Sequence, residues 1–281
     1  MPKSTHSDDG ATTHAAKRTK VDVAEAVIGK AKDLLKIHCD GAGIDDSHGT
    51  KHALAVLTHT EYALAAATFD MAESRRLSIR LAALLHDADD HKYFGKAASK
   101  AMTHARRIME EAGAGQVSDG VVDDALSSIA LVSCSANGNS CPDDAKEHPE
   151  ILWPRWSDRL EASGEIGVAR CFMHNRKDGA PLAIESTPRP TTAEEVFALA
   201  TEERFADYQT RGGASASMID HYYDKLIQVS RPAPELVRNK YLEEEARERV
   251  EPLVAVLLKY SATGKVPVDD IEAIMTRLGL E

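Results

Sequence analysis

Aromatic residues supply only 5% of the 281 positions, and runs of β-branched residues are few. Alanine and leucine carry much of the apolar content instead, a composition that points to helices. No apolar stretch approaches the length of a membrane span. The N-terminus lacks the apolar core of a secretory signal, so an intracellular, cytoplasmic setting is expected. The four cysteines, Cys39, Cys134, Cys141 and Cys171, include no Cys-x-x-Cys pair. Reduced thiols are therefore expected rather than a disulfide framework, although Cys134 and Cys141 could approach each other across the loop between them. Positive charge is also short, with 34 Lys and Arg against 45 Asp and Glu and a formal charge of −11. That balance argues against nucleic-acid polymers and anionic membranes as partners. It still allows a small anionic substrate held by a metal and a few local cations. The basic run Lys17-Arg18-Thr19-Lys20 offers a weak nuclear signal and reads better as a solvated patch.

Neither an internal repeat nor a βαβ alternation is present, and helical spacing dominates from residue 21 onward. Residues 1–20 are polar and aperiodic, which predicts a disordered tail ahead of one folded domain over 21–281. Val23, Val27, Ile28, Ala31, Leu34 and Leu35 share a face of a first helix. It ends at Gly41-Ala42-Gly43, and Asp45-Asp46-Ser47 offers caps for a second helix over 48–71. Further helices are expected over 75–86, 94–113, 118–132, 155–162, 192–210, 216–229, 235–260 and 267–279. Prolines, Gly179 and mixed charges predict a long surface excursion over 175–191. The fold class read from this pattern is all-α.

The most informative residues end the run Leu81-Ala82-Ala83-Leu84-Leu85. His86-Asp87 follow at once, then Ala88-Asp89-Asp90. A central helix that gives up burial for a histidine and three carboxylates is suited to metal ligation, because imidazole and carboxylate together hold divalent ions at hydrolytic centres. Upstream, His48 and His52 stand one helical turn apart and share a face, with His59 further along as a peripheral histidine. Downstream, Trp156-Ser157-Asp158-Arg159-Leu160-Glu161 places an Asp beside an Arg, which alone is also how a buried ion pair would look. Two imidazoles and two carboxylates, His52, His86, Asp87 and Asp158, leave open positions on an octahedral ion for water and substrate oxygens.

The order His52…His86-Asp87…Asp158 resembles the HD superfamily of metal-dependent phosphohydrolases. Ser47-His48-Gly49 through Val56 is similar to the "HDxxHxxRV" opening of its YpgQ-like subgroup, which is associated with nucleotide pyrophosphohydrolysis. Leu84 to Asp90 is similar to "LLHDIGD", and Ser157 to Ala162 with Gly164 and Ile166 to Arg170 resembles "ADRLDAIGAIGIAR". His221-Tyr222-Tyr223-Asp224-Lys225-Leu226 resembles "HFYEKL". The similarity spans about 46–230 and departs from the pattern at several positions. Ala88 and Asp89 replace the Ile and Gly of "HDIGD", Gly49 stands for an Asp, Ala55 for an Arg, and Trp156 for an acid.

The resemblance implies a single HD-type helical bundle and a divalent ion, Mg²⁺ or Mn²⁺ foremost with Co²⁺, Ni²⁺ or Fe²⁺ as others, held by His52, His86, Asp87 and Asp158. Asp90 would orient or deprotonate the attacking water, or else cap a helix or pair with Lys92. His48 would contact a phosphate or leaving group. Lys92, Arg159 and Lys225 are candidate phosphate neutralisers, with Arg159 alternatively holding a ligand carboxylate in place and Lys225 resting on similarity alone. The implied substrate is a nucleotide or related phosphate ester, cleaved in the triphosphate case to monophosphate and pyrophosphate. A cyclic-nucleotide phosphodiesterase is a further variant, whereas the "HDxxED" element of (p)ppGpp hydrolases is absent. Two other classes stay open. A di-iron oxygenase on the same scaffold would need extra histidines, for which His91, His104 and His148 fit poorly in spacing. A non-catalytic nucleotide-binding protein would keep the fold without the chemistry.

Overall fold

The computed structural model describes residues 9–45 and 48–280, with the side chains of 9–21 and of Ser135 left out. Six helices come first: α1 (Asp9–Ala42), α2 (Thr50–Ala65), α3 (Glu73–Leu85), α4 (His91–Ala101), α5 (Thr103–Gly113) and α6 (Asp119–Val132). Short α7 (Cys134–Asn137), α8 (Asp143–Glu147) and a 3₁₀ turn over Pro149–Leu152 lead into α9 (Trp153–Leu160) and α10 (Gly164–Asp178). After an irregular stretch come α11 (Ala193–Leu199), α12 (Glu202–Thr210), α13 (Met218–His221), a π turn over Tyr222–Leu226, and α14 (Ile227–Val229). The chain finishes with α15 (Pro234–Val237), α16 (Lys240–Thr263) and α17 (Val268–Leu278). No strand occurs among the described residues, as the composition led us to expect. No described helix is long and apolar enough to cross a membrane.

The chain divides into two compact units, one of residues 1–54 and 68–128, the other of 55–67 and 129–281. In the first, α1 packs on α3 and α5. The run Leu81 to Leu85 is wholly buried, which explains its lack of polar residues. Arg80 of α3 fastens α1 with two hydrogen bonds to the Glu25 carboxylate, at 2.7 and 3.0 Å. In the second unit α16 is the central element, with α9, α10, α11 and α15 packed against it. Val168, Phe172, Tyr222, Leu253, Leu257 and Ile271 belong to one buried apolar cluster there.

Several boundaries differ from those expected, each for a local reason. The helix expected over 94–113 is broken at Met102, which takes a left-handed conformation (φ 49°) and ends α4. The helix expected over 48–71 stops at Ala65, ahead of Thr68, Phe69 and Asp70, which are weaker helix formers. Residues 175–178 belong to α10, so the surface excursion begins later; Gly179 ends that helix at φ 67° with its N–H on the Asn175 carbonyl. Thr201 caps α12 through the Arg204 amide and divides the helix expected over 192–210. Asn239 caps α16 in the same way. Asp46 and Ser47, expected as caps, lie outside the described residues, as do residues 1–8 of the expected tail. Helical backbone begins at Asp9, inside that expected tail. A polar segment can extend a helix nucleated by its neighbour, since propagation adds one hydrogen bond per residue ordered.

Gly167 on α10 has no room for a side chain: a Cβ there would lie 2.4 Å from the Ala162 carbonyl oxygen. Gly29 on α1 meets nothing within 4 Å. Thermal unfolding should therefore separate the two. Gly167→Ala is expected to cost on the order of 1–3 kcal/mol through forced backbone shifts, whereas Gly29→Ala should be neutral or stabilising by up to about 1 kcal/mol.

Candidate metal centre

His86 is the C-cap residue of α3, and its Nδ1 donates to the Ala83 carbonyl oxygen at 2.9 Å. A carbonyl only accepts, so the ring proton sits on Nδ1 and Nε2 is left as a lone-pair donor for a cation. That Nε2 faces Nε2 of His52, in the first turn of α2, across 3.2 Å. The Asp87 Oδ2 lies 3.4 Å from the His86 nitrogen and 3.8 Å from the His52 nitrogen. His52 is buried, and Asp87 is partly open to solvent. Two imidazole nitrogens and one carboxylate oxygen thus converge in the first unit, close enough to hold one metal ion. Borderline and hard divalent ions accept this donor set.

Asp87 also belongs to a second group with His48 and Asp90. Lys92 Nζ donates to His48 Nε2 at 2.9 Å, which makes that nitrogen an acceptor. Asp90 Oδ1 accepts from the Lys92 amide at 2.9 Å and so caps α4, while Oδ2 stands 4.0 Å from His48 Nε2. The bland role of Asp90, a cap, is therefore present, and its other oxygen still faces His48. Tyr93 lies beside this group, and burial together with the Asp45 carboxylate raises its phenol above the ordinary range.

No family model matches the chain. Uncharacterized protein L803 of Acanthamoeba polyphaga mimivirus is 33% identical over 222 residues, which covers 76% of this chain and 88% of the viral protein. The chain belongs to the family of L803. Two solved structures share the fold. One, from Lactobacillus plantarum, is 19% identical with a TM-score of 0.56 over 86% of this chain and 96% of its own. The other, the Lin1889 protein from Listeria innocua, is 17% identical with a TM-score of 0.53, covering 84% and 94%.

Most of the remaining residues singled out in the sequence are carried by other elements. Asp158 is carried by α9, in the second unit. Arg159 is buried: its Nη1 donates to Asn139 Oδ1 at 2.5 Å, its Nη2 to the Gly138 carbonyl, and its guanidinium lies 4.7 Å from the Trp156 ring centre. Lys225 sits in the π turn, with its ammonium 6.0 Å from the Tyr208 ring centre. Desolvation, with the Lys225 charge nearby, pushes the imidazole of the half-buried His221 down to about 3. His59 has a separate cluster, with Nδ1 2.6 Å from the Tyr241 hydroxyl and Nε2 accepting from Arg249. Neither group of candidate ligands takes in His91, His104 or His148.

Two features were hidden in the sequence. Asp89, which had no assigned role, is buried and accepts from the His104 amide (3.0 Å), His104 Nδ1 (2.7 Å) and the Ala105 amide (2.9 Å), clamping the start of α5. The His104 ring packs at a tilt against His38 and Phe94, and His38 Nε2 donates to the Ala88 carbonyl at 2.8 Å. Burial holds the His38 imidazole below its ordinary range. The partners of Asp89 lie 15 and 16 residues away, beyond any local signal. Gly49 is explained as well: a Cβ there would come within 2.8 Å of the Asp45 carbonyl oxygen, which rules out the aspartate of the resembling motif.

An amide in place of the Asp89 carboxylate cannot accept at both of its positions. Asp89→Asn should lower stability in denaturant unfolding by about 1–3 kcal/mol, the cost of leaving a buried N–H without an acceptor.

Proposed function

We propose that the chain is a metal-dependent phosphohydrolase of the HD type, acting on a nucleotide or related phosphate ester and foremost cleaving nucleoside triphosphates to monophosphate and pyrophosphate. The observation that carries this reading is the convergence of His52 Nε2, His86 Nε2 and Asp87 Oδ2, with gaps of 3.2–3.8 Å, on the residues that the HD resemblance names. The proton on His86 Nδ1 supports it further, because it leaves the facing nitrogen able to ligate. Asp158 enters as the fourth ligand on sequence order alone.

A bound Mg²⁺ or Mn²⁺ would acidify water and neutralise charge developing on phosphoryl oxygens. The protein's own groups supply the rest. Asp90, whose Oδ2 faces His48, orients the attacking water or takes its proton. Lys92 gives the group a positive charge for a phosphate, and its contact with His48 keeps the two side chains together. Lys225 is assigned to phosphate neutralisation from the sequence motifs, whereas Arg159 is buried with both terminal nitrogens engaged and fixes the Gly138-Asn139 turn instead. The net charge of −11 makes local cations and a metal necessary for any polyphosphate to approach.

A phosphate- and pyrophosphate-release screen over nucleotides with Mg²⁺, Mn²⁺, Co²⁺ and Ni²⁺ tests this. Pyrophosphate release from a triphosphate is expected. Asp87→Ala should reduce it at least about 100-fold while circular dichroism keeps its helical signal. Full activity in that variant would overturn the site assignment, and absence of hydrolysis under every metal would overturn the function.

A further inference from the structure

The second unit carries an open depression of about 430 Å³ whose lining includes the buried Asp220 and Asp224, the half-buried Arg204 and the exposed Asp207, Thr210 and Arg211. Its volume falls in the range of about 300–1,000 Å³ that small-molecule sites occupy. The Asp220 carboxylate accepts from Ser217 Oγ at 2.6 Å, Thr187 Oγ1 at 2.8 Å and Arg204 Nη2 at 3.2 Å. Asp224 accepts from Arg204 Nε at 2.8 Å and pairs with Arg211 Nη2 at 3.3 Å. Asp224 stands in the π turn, a widened backbone geometry that recurs at functional sites.

What matters for a ligand is the set of groups this network leaves over. Arg204 and Arg211 each engage Nε and Nη2, and among the described residues neither Nη1 has a partner. Arg211 stands one turn after Asp207 yet donates to its backbone oxygen, 3.2 Å away, instead of its carboxylate. Among the described residues the Asp207 carboxylate takes no hydrogen bond or ion pair. At its solvent-facing rim the lining thus carries the exposed Asp207 carboxylate and an edge of the exposed Arg211 guanidinium, with the half-buried Arg204 offering a second guanidinium edge, none with a partner among the described residues. Three carboxylates against two guanidiniums give it a charge of −1, which repels a polyanion.

We propose that this depression binds a small zwitterion of the amino-acid type, its anionic group on the Nη1 edges of Arg204 and Arg211 and its ammonium on Asp207. The proposal does not rest on the hydrolytic reading.

Calorimetric titration of the full chain with each of the twenty standard amino acids, and with acetate and methylammonium as half-ligands, tests the proposal. At least one amino acid should bind saturably, with both half-ligands weaker by about tenfold or more, since each leaves a charged group of the site unpaired. Asp207→Asn removes a carboxylate the fold does not use, so it should keep the wild-type unfolding temperature and lose about tenfold in amino-acid affinity. Arg211→Gln should lose at least as much. The proposal is overturned if no amino acid binds, if acetate binds as tightly as the best amino acid, or if Asp207→Asn binds like the wild type.

Discussion

The candidate metal centre depends on how α3 ends. Its last turn is apolar and buried through Leu85, so the chain must emerge from the core carrying its first polar side chains at a fixed place and angle. The hydrogen bond from His86 Nδ1 to the Ala83 carbonyl then sets both the tautomer and the orientation of the imidazole. Residues after it are held one by one. Ala88 receives a hydrogen bond from His38, Asp89 grips the start of α5, and Asp90 caps α4. A turn of five residues thus has anchors on α1, α3, α4 and α5, while Asp87 presents its carboxylate to His52 and His86.

The two polar clusters obey opposite electrostatic logic. Around His86 the groups that face one another are acceptors and lone pairs, an arrangement that gains most when a cation enters. Around Asp224 the charges of opposite sign are already paired, which makes the buried carboxylates tolerable without any ion. Only the outer edges of that network retain capacity for a ligand. Carboxylates therefore stand beside imidazoles in a candidate metal site in one unit and beside guanidiniums in a paired polar network in the other.

Much of the fold was legible because burial imposes period. The Leu81–Leu85 run is buried as its composition implied, and His52, His86 and Asp87 meet as their spacing and motif suggested. What the sequence hid has physical causes. Met102 breaks a helix by adopting a left-handed conformation that carries no marker in a non-glycine residue. The π turn at Tyr222–Leu226 leaves the apolar pattern of 216–229 unchanged, so a continuous helix is what the pattern implies. Asp89 reads as a spare acid beside a ligand pair because its partners, His104 and Ala105, come from the next helix but one. Asp90 was legible as a helix cap, one of the readings its position allowed, whereas its approach to His48, 42 residues earlier, carries no local signal.

The proposed chemistry requires a divalent-cation site at His52, His86 and Asp87. Titrating the full chain with Mn²⁺ and following the free ion by electron paramagnetic resonance measures this directly, without reference to any substrate. Saturable binding of about one equivalent is expected, weakened by His52→Ala and by Asp87→Asn at least about 10-fold each. Binding that does not saturate, or an affinity unchanged in both variants, would contradict it.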